Sequence, residues 1–171
     1  LKCIFIHIPK TGGTSISKAL FNLSNESYDA GGSFCKNKVI GWNNDLQLWG
    51  QHMPFNLKKK YVTDCKNFFK FAFVRNPWDR AISDFFWFKN YVKISGTFEE
   101  YLLEINSFKD IFENNKKTIW MGDHKLPQSY FFNKNELDFV GRFENIDKDF
   151  SYVVEKIGIK NIKLPHLEKT N

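Results

Sequence analysis

Apolar residues stand at alternate positions in Ile4, Ile6 and Ile8, then recur at Ile16, Ala19, Leu20 and Leu23. The first spacing predicts a strand and the second a helix, with Pro9 to Ser15 as the loop between them. Phe69-Lys70-Phe71-Ala72-Phe73-Val74 predicts a second strand, which stops at Arg75-Asn76-Pro77-Trp78-Asp79. Asn76 reads as an N-cap, Pro77 as the first helical residue and Asp79 as the acid of the first turn. The helix they open runs through Ala81, Ile82, Phe85, Phe86 and Phe88 to about Tyr91. Thr97-Phe98-Glu99-Glu100 is a capping box for another, with Tyr101, Leu102 and Ile105 on its apolar side. Leu137 to Arg142 predicts a third strand. Asn145 to Ile157 predicts a helix with Phe150, Val153, Val154 and Ile157 inward and Gly158 at C′.

The remaining stretches lack periodicity. Residues 25 to 50 read as a long surface connection, ending in Trp49-Gly50-Gln51-His52-Met53-Pro54-Phe55, where turn residues set the backbone around a histidine. Lys58-Lys59-Lys60 reads as the solvated face of a short helix, with guidance of an acidic ligand as the alternative. Trp120 to Gln128 is turn-rich and contains His124, Ser129 to Phe132 is a short aromatic run, and Leu164 to Asn171 is an irregular tail. No internal repeat or linker interrupts the chain.

At 171 residues the expectation is a single α/β domain spanning 1–171. A 42% hydrophobic and 18% aromatic content argues against disorder, and the absence of any run of about 18 apolar residues argues against a membrane span. Three cysteines without a C-x-x-C pair favour a reducing compartment and give no metal signature. The net charge of +6 suits anionic ligands, but no dense basic run interleaves with aromatics, which argues against nucleic acid. More telling are the arginines: of only three, Arg75 and Arg80 fall within six residues of each other, and an arginine fork matches a phosphate in two places at once.

The first loop carries the chemistry. Backbone N–H groups at a helix start converge on one point where the helix dipole also favours negative charge. Gly12 and Gly13 supply positive φ and close backbone approach, Lys10 a cation, and Thr11, Thr14 and Ser15 hydroxyl donors. Lys10 precedes the glycines, the reverse of a Walker A loop, and no hydroxyl directly follows a lysine to hold magnesium. On the next helix Ser83 follows Arg80 by three and Asp79 by four, so these three share a face. Parallel pairing of the first two strands would aim Arg75 at the crevice of the first loop. His7 lies on the strand face opposite Ile6 and Ile8, which suits a structural hydrogen bond. Aromatics such as Trp78, Phe85, Phe86 and Trp87 at helical spacing read as core, with a stacking face for a ligand ring as the alternative. Arg80 is expected to pair with Asp79 or Asp84 on its own helix or to reach a bound ligand, and Glu144 to pair with Arg142.

With these segments in place, the chain resembles the sulfotransferases, most closely the carbohydrate branch with the heparan, chondroitin and dermatan sulfate enzymes and their bacterial relatives. His7 to Ser15 is similar to that family's 5′-phosphosulfate loop and Val74 to Ser83 to its 3′-phosphate motif. Further similarity runs through Gln51 to Phe55, Pro127 to Tyr130, Val140 to Asn145 and Leu164 to Leu167. The resemblance implies an α/β fold of three layers, a parallel sheet flanked by helices as in P-loop nucleotide hydrolases. It implies 3′-phosphoadenosine 5′-phosphosulfate as donor, a carbohydrate hydroxyl as acceptor, and no metal. Lys10, Thr11, Gly12, Gly13, Thr14 and Ser15 would then bind the 5′-phosphosulfate, with Lys10 also serving catalysis, and Arg75 and Ser83 would hold the 3′-phosphate. A neutral histidine suits removal of the acceptor proton near pH 7, and His52 is the candidate base with His124 in reserve. The family continues past Pro165-His166-Leu167 into a closing helix, which this chain, ending at Asn171, is expected to lack.

Two rivals remain open on the sequence. A magnesium-dependent phosphotransferase would need a strand-end aspartate, for which Asp64 is the candidate, and a sulfotransferase-like module would bind nucleotide or glycan without catalysis. Richness in Asn, Lys, Ile and Phe points to a cytoplasmic microbial protein, whereas an upstream anchor would place it in a Golgi lumen.

Overall fold

The computed structural model describes the chain except residues 27, 33, 34, 36, 38, 63, 114–120, 160, 161, 163 and 166–171. The expectations for Trp120, His166 and Leu167 therefore lie outside the described residues. Strand β1 (Cys3–Ile6) leads through the first loop into helix α1 (Gly13–Leu23). A small hairpin of β2 (Trp42–Asn43) and β3 (Leu48–Trp49), a 3₁₀ turn over Gly50–His52 and helix α2 (Phe55–Lys58) follow. Next come β4 (Phe69–Val74), α3 (Pro77–Trp87) with a π turn over Phe88–Val92, α4 (Phe98–Leu103) and α5 (Lys109–Phe112). The chain then passes through 3₁₀ turns to β5 (Phe139–Arg142) and α6 (Ile146–Lys156).

The sheet has the order β1-β4-β5, parallel throughout, with Ile6 opposite Ala72 and Phe73 opposite Gly141. Both faces are covered, as a parallel sheet requires. Phe71 and Phe73 point to one side, where they pack with Ile16, Ala19 and Leu20 of α1 and Phe150, Val153 and Val154 of α6. Ile4, Ile6, Ile8 and Ala72 point to the other, against Phe55 and Phe131. A satellite core of Phe85, Phe88, Tyr101, Phe108 and Phe112 joins α3 to α4 and α5. Gly141 exists for packing: a Cβ there would lie 2.6 Å from the Phe73 ring that covers it.

The predicted caps are present. Asn76 accepts from the Trp78 amide at 3.0 Å, and Thr97 and Glu100 form the reciprocal capping box. Gly158 sits beyond α6 at φ +76°. Elsewhere the structure departs from expectation. The 25–50 connection is not wholly irregular, because Trp42 and Trp49 pair across the hairpin with rings 5.3 Å apart. The helix after Asn76 gives way to a π turn at Phe88. Of the three consecutive lysines, Lys59 and Lys60 are exposed but Lys58 is buried, its Nζ donating to Phe5 O at 3.1 Å and Gln51 O at 3.4 Å. Phe85 is core, but Trp78 is 77% exposed and Trp87 lines a cleft. Among the described residues no helix is long and apolar enough to cross a membrane.

Candidate active site

Parallel pairing of β1 with β4 puts the ends of both strands on one side of the sheet, and a cleft of about 740 Å³ opens there. Lys10, Gly12, Gly13, Thr14 and Ser15 line it. The loop turns through left-handed conformations at Lys10 (φ 63°) and Gly12 (φ 83°), the second being the residue before α1. Gly12 offers no side-chain cap to the first turn of α1, which leaves that end of the helix suited to an anion. Gly13 lies within α1 and outside the left-handed region, so the expected positive φ belongs to Gly12 alone. Gly13 is glycine because His7 lies against it, with Cδ2 only 1.9 Å from where a Cβ would stand. Thr11 also differs from expectation: it is fully buried, and its hydroxyl donates to Ile8 O at 3.0 Å, closing the loop from within.

Arg75 follows directly on β4. Its Nη1 donates to Lys10 O at 3.3 Å, so the arginine and the first loop touch across 65 positions of sequence. The guanidinium carbon lies 4.1 Å from the centre of the Phe143 ring, and Gln128 fixes the Arg75 backbone from both sides, accepting from its N–H at 2.9 Å and donating to its carbonyl at 2.8 Å. Arg75 Nε is buried with no hydrogen-bond partner among the described residues. A buried, unspent guanidinium donor in a cleft is what an anionic ligand would satisfy. Ser83, buried on α3, lines the same cleft.

Arg80 does not make the expected ion pair on its own helix. It donates to three carbonyls, Pro9 O at 3.0 Å, Leu126 O at 2.9 Å and His124 O at 2.7 Å, and so ties α3 to the first loop and to the 122–126 turn. Glu144 likewise does not pair with Arg142. Its Oε1 accepts from the Asn76 N–H at 2.6 Å, a backbone hydrogen bond that holds the Glu144 carboxyl below its usual range.

Three imidazoles crowd the inner wall. The ring of His7 meets that of His52 edge-on at 4.9 Å, and His52 meets His124 at 5.3 Å. Both His52 and His124 have a carboxylate behind them: His52 Nδ1 is 2.6 Å from Asp123 Oδ2, and His124 Nδ1 is 2.5 Å from Asp84 Oδ1. A carboxylate at Nδ1 holds the proton there and leaves Nε2 as the basic nitrogen. Burial lowers the His52 pKa, with Asp123 opposing that shift. Burial would raise the Asp123 carboxyl, but the charge and hydrogen bond of His52 keep it below its usual value. His7 is buried deeply enough to stay neutral, and the hydrogen bond expected of it is missing at Nδ1, which has no partner among the described residues. His124 stacks on Trp87 at 4.9 Å, and Lys10 Nζ sits 5.2 Å from the centre of the same indole.

The donor atoms of His52, Asp123 and His124 lie within 4.8 Å of one another, close enough for a cation to gather them. As placed, both Nδ1 atoms are engaged by carboxylates instead. Asp64 is exposed, at φ 58°, and is not among the residues that line the cleft.

The sequence profile of the sulfotransferase family matches residues 1–170. The chain belongs to that family. Its fold is shared with the crystal structure of mouse sulfotransferase SULT7A1 complexed with PAP, which superposes with a TM-score of 0.50 at 17% identity. That match covers 93% of this chain and 59% of the mouse chain, so this sulfotransferase family member spans about three-fifths of the neighbour's length. An uncharacterized protein of Archaeoglobus fulgidus is 29% identical over 93 residues, 52% of this chain and 67% of the archaeal one.

In this family member, several residues at the site have no signal in the sequence that would single them out. Asp123 stands in view beside His124, but nothing local says that it serves His52, 71 positions away. Asp84 falls on an ordinary helix. Gln128 lies inside a stretch similar to the family, yet only the tertiary structure shows it gripping the backbone of Arg75.

Proposed function

We propose that the chain transfers a sulfuryl group from 3′-phosphoadenosine 5′-phosphosulfate to a hydroxyl of a carbohydrate acceptor, as one domain and with His52 as general base. The observation that carries the proposal is the shared cleft: the uncapped start of α1 with Lys10, the guanidinium of Arg75 and the Asp123-backed imidazole of His52 all line or touch one cavity. Such a donor has phosphate at both ends of its nucleotide, and two separate anion grips suit it better than one.

Lys10 and the amides and hydroxyls of residues 12–15 hold the phosphosulfate end. They neutralise charge that grows on the bridging oxygen as the bond from that oxygen to sulfur breaks. Arg75 and Ser83 hold the 3′-phosphate. Thr11 serves by bracing the loop rather than by offering its hydroxyl. His52 Nε2 takes the acceptor's proton as the acceptor oxygen bonds to sulfur, and Asp123 stabilises the imidazolium that forms. Tyr28, Trp49 and Tyr91 line the same cleft and present flat, partly polar rings against which a sugar can lie.

The test is transfer of labelled sulfate from the donor across a panel of glycans. His52→Ala should lower turnover by about 10² to 10⁴ and leave donor affinity nearly intact. Near-normal turnover in that variant would remove His52 from the role and turn attention to His124. Tight donor binding with no transfer to any acceptor would favour the noncatalytic module.

A further inference from the structure

A second cavity of about 450 Å³ lies against the first and shares His7 and Gln51 with it. Its volume falls within the range of about 300–1,000 Å³ common for small-molecule sites. Its walls are mostly apolar, with Ile4, Leu20, Ile40 and Phe68 among them, and Ser17 of α1 adds a hydroxyl. Lys58 also lines it and is only 6% exposed.

The lysine is the unusual part. Its ammonium has three N–H donors, of which two go to the Phe5 and Gln51 carbonyls. Among the described residues no carboxylate lies within ion-pair distance of it, whereas Lys59, Lys70 and Lys125 each have one. A buried cation without a counter-charge is costly, and burial alone brings the Lys58 pKa down to about 8. Near pH 7 most of the population still carries the charge.

We propose that this second cavity is a binding site for a small organic carboxylate with an apolar body, the head group on Lys58 and the body along Ile4, Leu20, Ile40 and Phe68. One cation with two donors already spent suits a single negative charge. Exposed Glu26, which also lines the cavity, disfavours a phosphate dianion. This site is separate from the donor grips and does not depend on sulfuryl transfer.

Octanoate is the probe, titrated calorimetrically into the full chain with and without saturating 3′,5′-bisphosphoadenosine. Octanoate should bind in both cases, and 1-octanol, with the same apolar length and no charge, at least tenfold more weakly. Lys58→Met should weaken octanoate about ten- to a hundredfold. Ser17→Leu, which narrows the cavity and keeps the ammonium, should weaken it as well, so the test still discriminates where Lys58→Met fails to fold. Absence of octanoate binding overturns the proposal, as does equal affinity for octanol. Displacement by the nucleotide would place octanoate in the donor cleft and overturn it too.

Discussion

At the scale of single residues, the arrangement of His52 fixes the sign of a pH dependence. In the proposed role His52 would work only as neutral imidazole, and burial lowers its pKa below the ordinary 6.5. Turnover should therefore rise with pH along an acidic limb whose midpoint lies below 6.5. Asp123 favours the protonated form through its charge and hydrogen bond, so Asp123→Asn should move the midpoint lower still while reducing turnover at least about tenfold. A pH-rate profile of the two proteins checks both shifts, and an unmoved midpoint would detach Asp123 from the base. Arg75 carries a second prediction. Its buried, unpartnered Nε and its place beside Lys10 suit a charged hydrogen bond to phosphate worth about 1.5 to 3 kcal/mol. Arg75→Ala should weaken binding of the desulfonated nucleotide by about one to two decades in calorimetry, and unchanged affinity would take the 3′-phosphate away from it.

At the scale of elements, the parts legible in the sequence were those whose signals are local. The bounds of β4 are legible because alternating aromatics end at a polar cap and a proline, and the first turn of α3 follows from Asn76 and Pro77. The β2–β3 hairpin was not legible, since strands of two residues have no period to read. The burial of Lys58 and the three carbonyl partners of Arg80 are not legible for another reason: what a long cation meets at its tip is decided by segments far away in sequence. Arg80 shows how much such a contact fixes. Three buried or half-buried carbonyls from two loops depend on it, and leaving each without a donor costs about 1 to 3 kcal/mol. Arg80→Met, which keeps the apolar stem, should thus lower unfolding stability by at least about 3 kcal/mol, read from denaturant midpoints at unchanged slope. A loss under about 1 kcal/mol would mean that the three segments hold together without it.

At the scale of the molecule, the parallel sheet is what converts two distant stretches of sequence into one site. β1 and β4 are neighbours, so loops that follow them must emerge side by side, and Arg75 reaches Lys10 without any long-range guidance beyond strand pairing. Binding of a nucleotide that touches both loops should then order them together. Hydrogen exchange followed by mass spectrometry should show protection of 10–15 and of 75–83 on addition of 3′,5′-bisphosphoadenosine. At a hundredfold excess over the dissociation constant, binding adds about 2.7 kcal/mol to global stability. Amides of the two loops that exchange by local opening should slow by up to the same factor as the whole fold. Arg75→Ala should diminish protection in both segments at a fixed nucleotide concentration, because occupancy falls for the entire ligand. His52→Ala should leave both protected, since the proposed base would meet the acceptor and not the nucleotide. Protection confined to the first loop would mean a ligand held at one end only. The cleft would then be a single-phosphate site, and the case for a donor with a phosphate at each end of its nucleotide would fall.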